Sequence, residues 1–220
     1  GGKGSGFYKS IDGGITWNKI ISGLPTGEFG RIALALAPSE PNNLIAIVES
    51  NNTGLFISSD YGETWKQQSA TMNIVSRPFY FSTIVIDPKD AKRVYRPAFT
   101  FSYSDDRGYS FNDASNDGGW VHSDHHALWI NPNNTNHMFL GTDGGVYISN
   151  DRGATFTFCQ NLPVGQFYHV AIDHCHPYNI YGGLQDNGSW TAPSAKAGST
   201  LSKHAGCYKR QPQQPRSHPR

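Results

Sequence analysis

An eight-residue motif of the form S-x-D-x-G-x-[TS]-[WF] occurs four times in this chain, and its spacing constrains the fold more than any other feature. The copies are Ser10–Trp17, Ser58–Trp65, Ser104–Phe111 and Ser149–Phe156, with central aspartates Asp12, Asp60, Asp106 and Asp151 and terminal aromatics Trp17, Trp65, Phe111 and Phe156. The intervals between the aspartates are 48, 46 and 45 residues. A period of about 40–50 residues that encloses several short apolar runs is the pattern of four-stranded propeller blades. The motif itself reads as a hairpin staple. Its aspartate and hydroxyl groups can serve backbone groups inside the turn, and its glycine supplies a position with φ > 0 at little steric cost.

Between the octets the same order of runs recurs. The first full unit uses Ile32–Leu36, a turn at Ala37-Pro38, Leu44–Val48 and Leu55–Ile57. The second uses Phe81–Ile86, Asp87-Pro88, Arg93–Tyr95 and Phe99–Tyr103, with Arg96-Pro97-Ala98 as an irregularity, because proline cannot donate within a central ladder. The third uses Ala127–Ile130, Met138–Leu140 and Val146–Ile148. A fourth begins at Tyr168–Ile172, continues through Asn179–Tyr181 and reaches Gly182–Trp190, which reads as a degenerate octet. Phe7–Lys9 and the first octet form only the end of a blade. The expected fold is therefore all-β, with about three full blades and two partial ones, read as a fragment of a larger propeller rather than a closed four-bladed ring.

The propeller segment is expected over residues 1–193, and 194–220, rich in Ser, Gln, Pro, Lys, Arg and His, as a disordered basic tail. A net charge of +1 gives no global attraction to nucleic acid, and the tail offers only Tyr208 for base stacking. No apolar run approaches the ~18 residues of a membrane span, and Gly1–Gly6 has no apolar core of a secretory signal. Either such a signal has been removed or the chain starts inside a longer protein. Cys159, Cys175 and Cys207 do not form a disulfide framework or a zinc knuckle. A Cys159–Cys175 bridge is the one pairing considered, and reduced thiols are expected instead.

The octets resemble the Asp-box (BNR) repeats of sialidases, xyloglucanase-type glycoside hydrolases and sortilin/Vps10 propellers. The longer blocks Val121–Tyr147 and Asn161–Trp190 resemble large secreted bacterial BNR-repeat proteins with a sortilin-like N-terminal propeller, often labelled glycosyl hydrolases. The resemblance covers roughly residues 5–193. It implies an extracellular or periplasmic location and either of two roles: a sortilin-like scaffold binding a protein or carbohydrate ligand, or part of a glycoside hydrolase. Sialidase chemistry does not carry over, because no arginine cluster, tyrosine nucleophile with its glutamate, or Arg-Ile-Pro motif can be matched. Exposed blade edges would also allow self-association.

Three constellations could carry chemistry. In an extended strand, His122, Asp124 and His126 would project to one face. There they would hydrogen-bond at the mouth of the propeller's central channel or contact a ligand, and they are the set that would hold a divalent ion if one bound, although no resident metal and no cofactor are expected. Asp124, Asp143 and Asp186 lie outside the octets and are candidates for the carboxyl pair of a glycosidase. Asp143-Gly144-Gly145 also reads as a turn into the third strand of its blade, and Gln185–Gly188 as a hairpin. Tyr168 and His169, with Phe167, Trp120, Trp129 and Trp190, could form a sugar-stacking or peptide-binding surface, although aromatics at strand spacing more often fill the core between blades.

Overall fold

The computed structural model describes residues 1–114, 121–162 and 164–194, and the backbone of 202–203. Two compact units, Gly1–Asn161 and Leu162–Arg220, make up the chain. In the first unit, β1 (Phe7–Lys9) and β2 (Asn18–Ile20) form a two-stranded sheet. Three four-stranded antiparallel meanders follow: blade I is β3 (Ile32–Leu36), β4 (Leu44–Val48), β5 (Gly54–Ser58) and β6 (Lys66–Ser69). A single helical turn, α1 (Met72–Val75), leads to blade II, which is β7 (Val85–Asp87), β8 (Asp90–Pro97), β9 (Phe101–Ser104) and β10 (Asn112–Asp113). Blade III is β11 (His125–Ile130), β12 (Met138–Thr142), β13 (Gly145–Ser149) and β14 (Thr157–Phe158). The second unit is one such sheet, β15 (Phe167–Ile172), β16 (Asn179–Leu184), β17 (Ser189–Pro193) and β18 (Ser202–Lys203). The chain is thus all-β and built of propeller blades, as the repeat predicts.

The octets of blades I to III join the third strand of the sheet to its outer strand, the first octet joins β1 to β2, and all four close with the same bonds. The serine hydroxyl donates to the aspartate at 2.6–2.8 Å and accepts the amide of the glycine at 2.8–2.9 Å. The aspartate also accepts the amide and hydroxyl of the seventh residue. Those bonds favour the ionised carboxylate: the Thr64 hydroxyl, followed by the Thr64 amide and the Ser58 hydroxyl, holds Asp60 down at about 2. The fourth place is left-handed as well as the fifth, with φ 60° at Tyr61 and Arg107 and 64° at Arg152.

That fourth place has a second role. In blade II, Arg107 reaches Glu40 in the turn between β3 and β4 at 2.9 Å. In blade III, Arg152 bridges Asp87 and Asp90, in the turn between β7 and β8, at 2.9 Å each. Each arginine ties its blade to the blade before it.

Three apolar clusters fill the spaces between successive sheets. Phe7, Leu24, Phe29, Val48, Phe56 and Trp65 join the first sheet to blade I. Ile45, Ile47, Leu55, Ile86 and Val94 join blades I and II, and Tyr95, Phe101, Ile130, Met138 and Leu140 join blades II and III. The octet aromatics enter these seams from the C-terminal side: Trp65 lies 4.9 Å from Phe7, Phe111 packs on the second cluster, and Phe156 meets Phe101 edge-on at 5.1 Å. Trp17 belongs to the first copy and is 60% exposed.

Blade II departs from the expected boundaries. Its first strand is only Val85–Asp87, because Phe81 and Thr83 give their carbonyls to the side chain of Arg96 instead of to a ladder. Arg96 is fully buried and also donates to the Pro97 carbonyl, and burial pulls its guanidinium down to about 10, still protonated at neutral pH. Pro97 ends β8 opposite Phe101, where its missing donor is tolerated.

Gly182–Trp190, read as a degenerate further octet, proves to be a different connection. It turns β16 into β17, the second-to-third strand connection, and so cannot staple an outer strand. Trp190 nonetheless donates Nε1–H to the Asn187 carbonyl at 3.0 Å, as Trp17 and Trp65 do to Gly14 and Gly62. The outer strand comes from within the expected tail: Ser202–Lys203 pairs with Thr191 and Trp190, since β17 otherwise leaves an open ladder edge. The other residues of 195–220 lie outside the described residues. Cys159 and Cys175 are free thiols, and Cys207 also lies outside the described residues.

Candidate functional site

The His122–His126 run does not form one extended strand. β11 begins at His125, and Asp124 is left-handed at φ 64°, so the alternation that would align His122, Asp124 and His126 fails at its first two members. A register shift between His125 and Ala127 further turns His126. The loop is held by backbone bonds: the Asp124 and His125 amides donate to the Phe99 and Ala98 carbonyls, and the Asp143 amide donates to the Asp124 carbonyl at 3.1 Å. The His122 amide donates to the Tyr147 hydroxyl, while Nδ1 lies 2.8 Å from the Ser123 carbonyl, so the Nδ1–H tautomer would donate there. Gly144 permits this fold, because a Cβ on it would stand 2.5 Å from that of His122.

The loop brings together His126 and Asp143. His126 Nε2 lies 2.9 Å from Asp143 Oδ1, with both side chains partly exposed. Asp143 turns the β12–β13 hairpin, as the turn reading expects. The imidazole is stacked on Phe81 (5.7 Å, 27°) and meets Tyr80 edge-on (5.3 Å, 86°). A carboxylate oxygen of Asp124 lies within 4.8 Å of one of Asp143. An imidazole held by a carboxylate, with a second carboxylate beside it and aromatic rings on its flank, can exchange hydrogen bonds with hydroxyl groups and stack on an apolar ring face. Between α1 and the β8–β9 turn a cleft of about 210 Å³ opens, lined by Met72, Asn73, Ser76, Phe99 and Thr100 among others.

Tyr80 and Phe81 were not singled out by sequence reasoning. The aromatic triplet Phe79-Tyr80-Phe81, in an unusually long connection between an octet and the next blade, is the signal that could have found them.

His125 lies beneath this surface. It is 1% exposed, and neither ring nitrogen has a hydrogen-bond partner in good geometry among the described residues. Burial lowers its pKa, against a partial counter-effect from the nearby Thr100 and His122 carbonyls and the Asp124 charge. A histidine with a depressed folded pKa binds fewer protons folded than unfolded, so its contribution is whole above the unfolded value near 6.5 and falls as pH drops below it. Tm measured against pH should therefore decline below about 6.5 in the wild type, and this first decline should flatten in His125→Leu. A separate decline should begin below about 4, as protonation reaches octet carboxylates such as Asp60. Equal slopes between pH 6.5 and 4.5 in both proteins would refute the assignment to His125.

Tyr168, His169 and Asp186 belong to the second unit. Tyr168 sits at the register shift between Phe167 and His169, and all six residues of β15 are exposed. Asp186, at φ 54°, turns the β16–β17 hairpin. This is the same topological place that Asp143 takes in blade III.

No protein-family model and no curated protein matches the chain. Solved structures do. A GH74 enzyme from Niastella koreensis is 18% identical over 77% of this chain and 29% of its own, with a TM-score of 0.52. An ancestral GH74 enzyme is 16% identical over 85% and 28%, at 0.49. The GH74 xyloglucanase from Xanthomonas campestris is 15% identical over 72% and 28%, at 0.47. The chain spans less than a third of the length of these structures, and at such identities the first of them supports the β-propeller fold alone. Among the described residues no helix is long and apolar enough to cross a membrane.

Proposed function

We propose that these blades belong to an extracellular Asp-box propeller of the BNR-repeat, sortilin-like type, and that blades II and III present a glycan-binding surface. The observation that carries this reading is the His126–Asp143 pair at 2.9 Å, flanked by Phe81 and Tyr80. The carboxylate fixes the imidazole, leaving it poised toward ligand hydroxyls, and the exposed Phe79 and Tyr80 rings next to it offer apolar faces to a sugar. The neutral lining of the cleft named above suits an uncharged, polyhydroxylated ligand. His122 and Asp124 border the pair, and Tyr168 and His169 are proposed as ligand contacts of the second unit in their own right, on the exposed β15.

Calorimetry with oligosaccharides of xyloglucan, β-glucan and sialosides tests this. At least one should bind, and His126→Ala and Asp143→Asn should each weaken it about 10–100-fold, the ~1.5–3 kcal/mol of a charge-assisted hydrogen bond. Absence of binding across the panel, or affinities untouched by both variants, would reject the proposal.

A second reading, part of a glycoside hydrolase, draws support from the spacing of Asp124 and Asp143. Their oxygens within 4.8 Å are close to the ~5–5.5 Å of a retaining pair. It requires turnover of the bound glycan, lost in Asp124→Asn, with retained anomeric configuration in the product.

A further inference from the structure

The aromatic flank of the His126–Asp143 pair rides on a segment that has no strand partner. Residues 81–84 lie outside any strand, and β7 begins only at Val85. Guanidinium groups hold the segment instead, at alternate carbonyls. Phe79 accepts from Arg31 Nη1 at 3.1 Å, Phe81 from Arg96 Nη2, and Thr83 from Arg96 Nη1 at 3.1 Å. The Tyr80 and Phe81 amides both donate back to the Arg77 carbonyl, at 3.0 and 2.9 Å. Two ring contacts depend on this segment, Phe81 stacked on His126 and Tyr80 edge-on to it. The Thr83 hydroxyl also lies 3.4 Å from the His126 carbonyl.

Stability alone does not call for an arginine at position 96. The residue is fully buried, it forms no ion pair among the described residues, and its Nε has no hydrogen-bond partner there. A buried charge without a counter-charge is costly, and an apolar side chain of similar volume usually serves stability as well or better. What an apolar side chain lacks is the fork. Two coplanar nitrogens reach two carbonyls on the neighbouring segment, while the Pro97 carbonyl at 3.3 Å ties Nη1 back to β8. We propose that Arg96 is a positioning residue for the ligand surface: its guanidinium sets residues 81–83 so that Phe81, and Tyr80 beside it, meet the His126 imidazole. Arg96 itself is buried out of a ligand's reach, so it acts only through these rings. This role rests on the glycan reading of the His126 site.

The test uses the full chain at a temperature where each variant is folded. Arg96→Lys keeps the charge and loses the fork, and Arg96→Met loses both. The imidazole proton resonances of His126, identified by their loss in His126→Ala, carry the ring-current shift of the two aromatic neighbours. In both variants these resonances should move toward those of an exposed histidine. An oligosaccharide bound by the wild type should bind about 3–10-fold more weakly, the worth of an aromatic contact. A purely structural Arg96 would lower Tm and leave both readouts of the folded protein unchanged. Wild-type values of either readout in a folded variant therefore overturn the proposal. Failure of both variants to fold overturns it as well, because Arg96 would then serve folding rather than the site. If the wild type binds no oligosaccharide of the panel, the glycan reading falls, and the His126 resonances still decide whether Arg96 sets the rings.

Discussion

Arg152→Ala is expected to destabilise the first unit by about 3 kcal/mol, the lower end of the ~3–5 kcal/mol for breaking a buried ion pair. The side chain of Asp87 is fully buried, and Arg152 is its cation, with Nε and Nη2 both reaching Oδ2. Removing the guanidinium strands a carboxylate without water or counter-charge, a larger penalty than the worth of the bond itself. The lower end applies because Arg152 is about one-third exposed and its second partner, Asp90, is more so, which lets water approach. For a chain of this size about 3 kcal/mol corresponds to a Tm drop of about 6–12 °C. Asp87→Asn in the alanine background should restore much of it, because the stranded charge is gone, and the double-mutant cycle should show strong coupling. A Tm loss below 2 °C in Arg152→Ala would show that Asp87 is solvated after all.

Gly23→Ala is the second large effect. Gly23 lies at φ 75° between β2 and Leu24, and a Cβ there would stand 1.6 Å from the Trp65 carbonyl oxygen. Backbone must move, and the Trp65 amide bond to the Ser22 carbonyl at 3.0 Å moves with it. Left-handed strain of about 1–3 kcal/mol and a lost hydrogen bond of about 1 kcal/mol give about 2–4 kcal/mol, before any loss of the Phe7–Trp65 contact. Gly27→Ala is the control: φ is 93°, but nothing lies within 4 Å of the added atom, so only the backbone strain is paid. Denaturant titration should separate the two by at least 1 kcal/mol, about the value of the displaced bond. Equal losses would contradict the close approach of Gly23 to the octet of blade I.

The octets were legible because their bonds are local. Each bond among the serine, aspartate, glycine and threonine or serine spans at most four positions, so composition and order suffice. Ile32–Leu36 and Leu44–Val48 were legible as well, since both are continuous aliphatic runs, the second of them largely buried between sheets. The outer strands were not: Lys66–Ser69, Asn112–Asp113 and Thr157–Phe158 are short, largely polar, and paired on one side only. Nor was the shortened β7, because its ladder partner was displaced by the side chain of Arg96, 15 residues from Phe81. The site was half legible. His126 and Asp143 were each named, but one as a strand residue aligned with Asp124 and the other as a turn. Their meeting depends on a bulge in β11 and on a hairpin that returns after 17 residues, and neither leaves a composition signal.

The arginine at the fourth octet place gives the repeats an order as well as a shape. Arg107 finds its acid in Glu40, and Arg152 in Asp87 and Asp90. The corresponding residues of the earlier copies are Gly13 and Tyr61, which carry no charge. Blades II and III, which look interchangeable by their shared staple, are therefore addressed individually, each matched to the turn of its own predecessor. During folding, when several similar sheets could stack in the wrong sequence, such an address favours the native neighbour over a copy one place removed. Duplicating or transposing a blade should preserve every staple in it and still leave a mismatched seam.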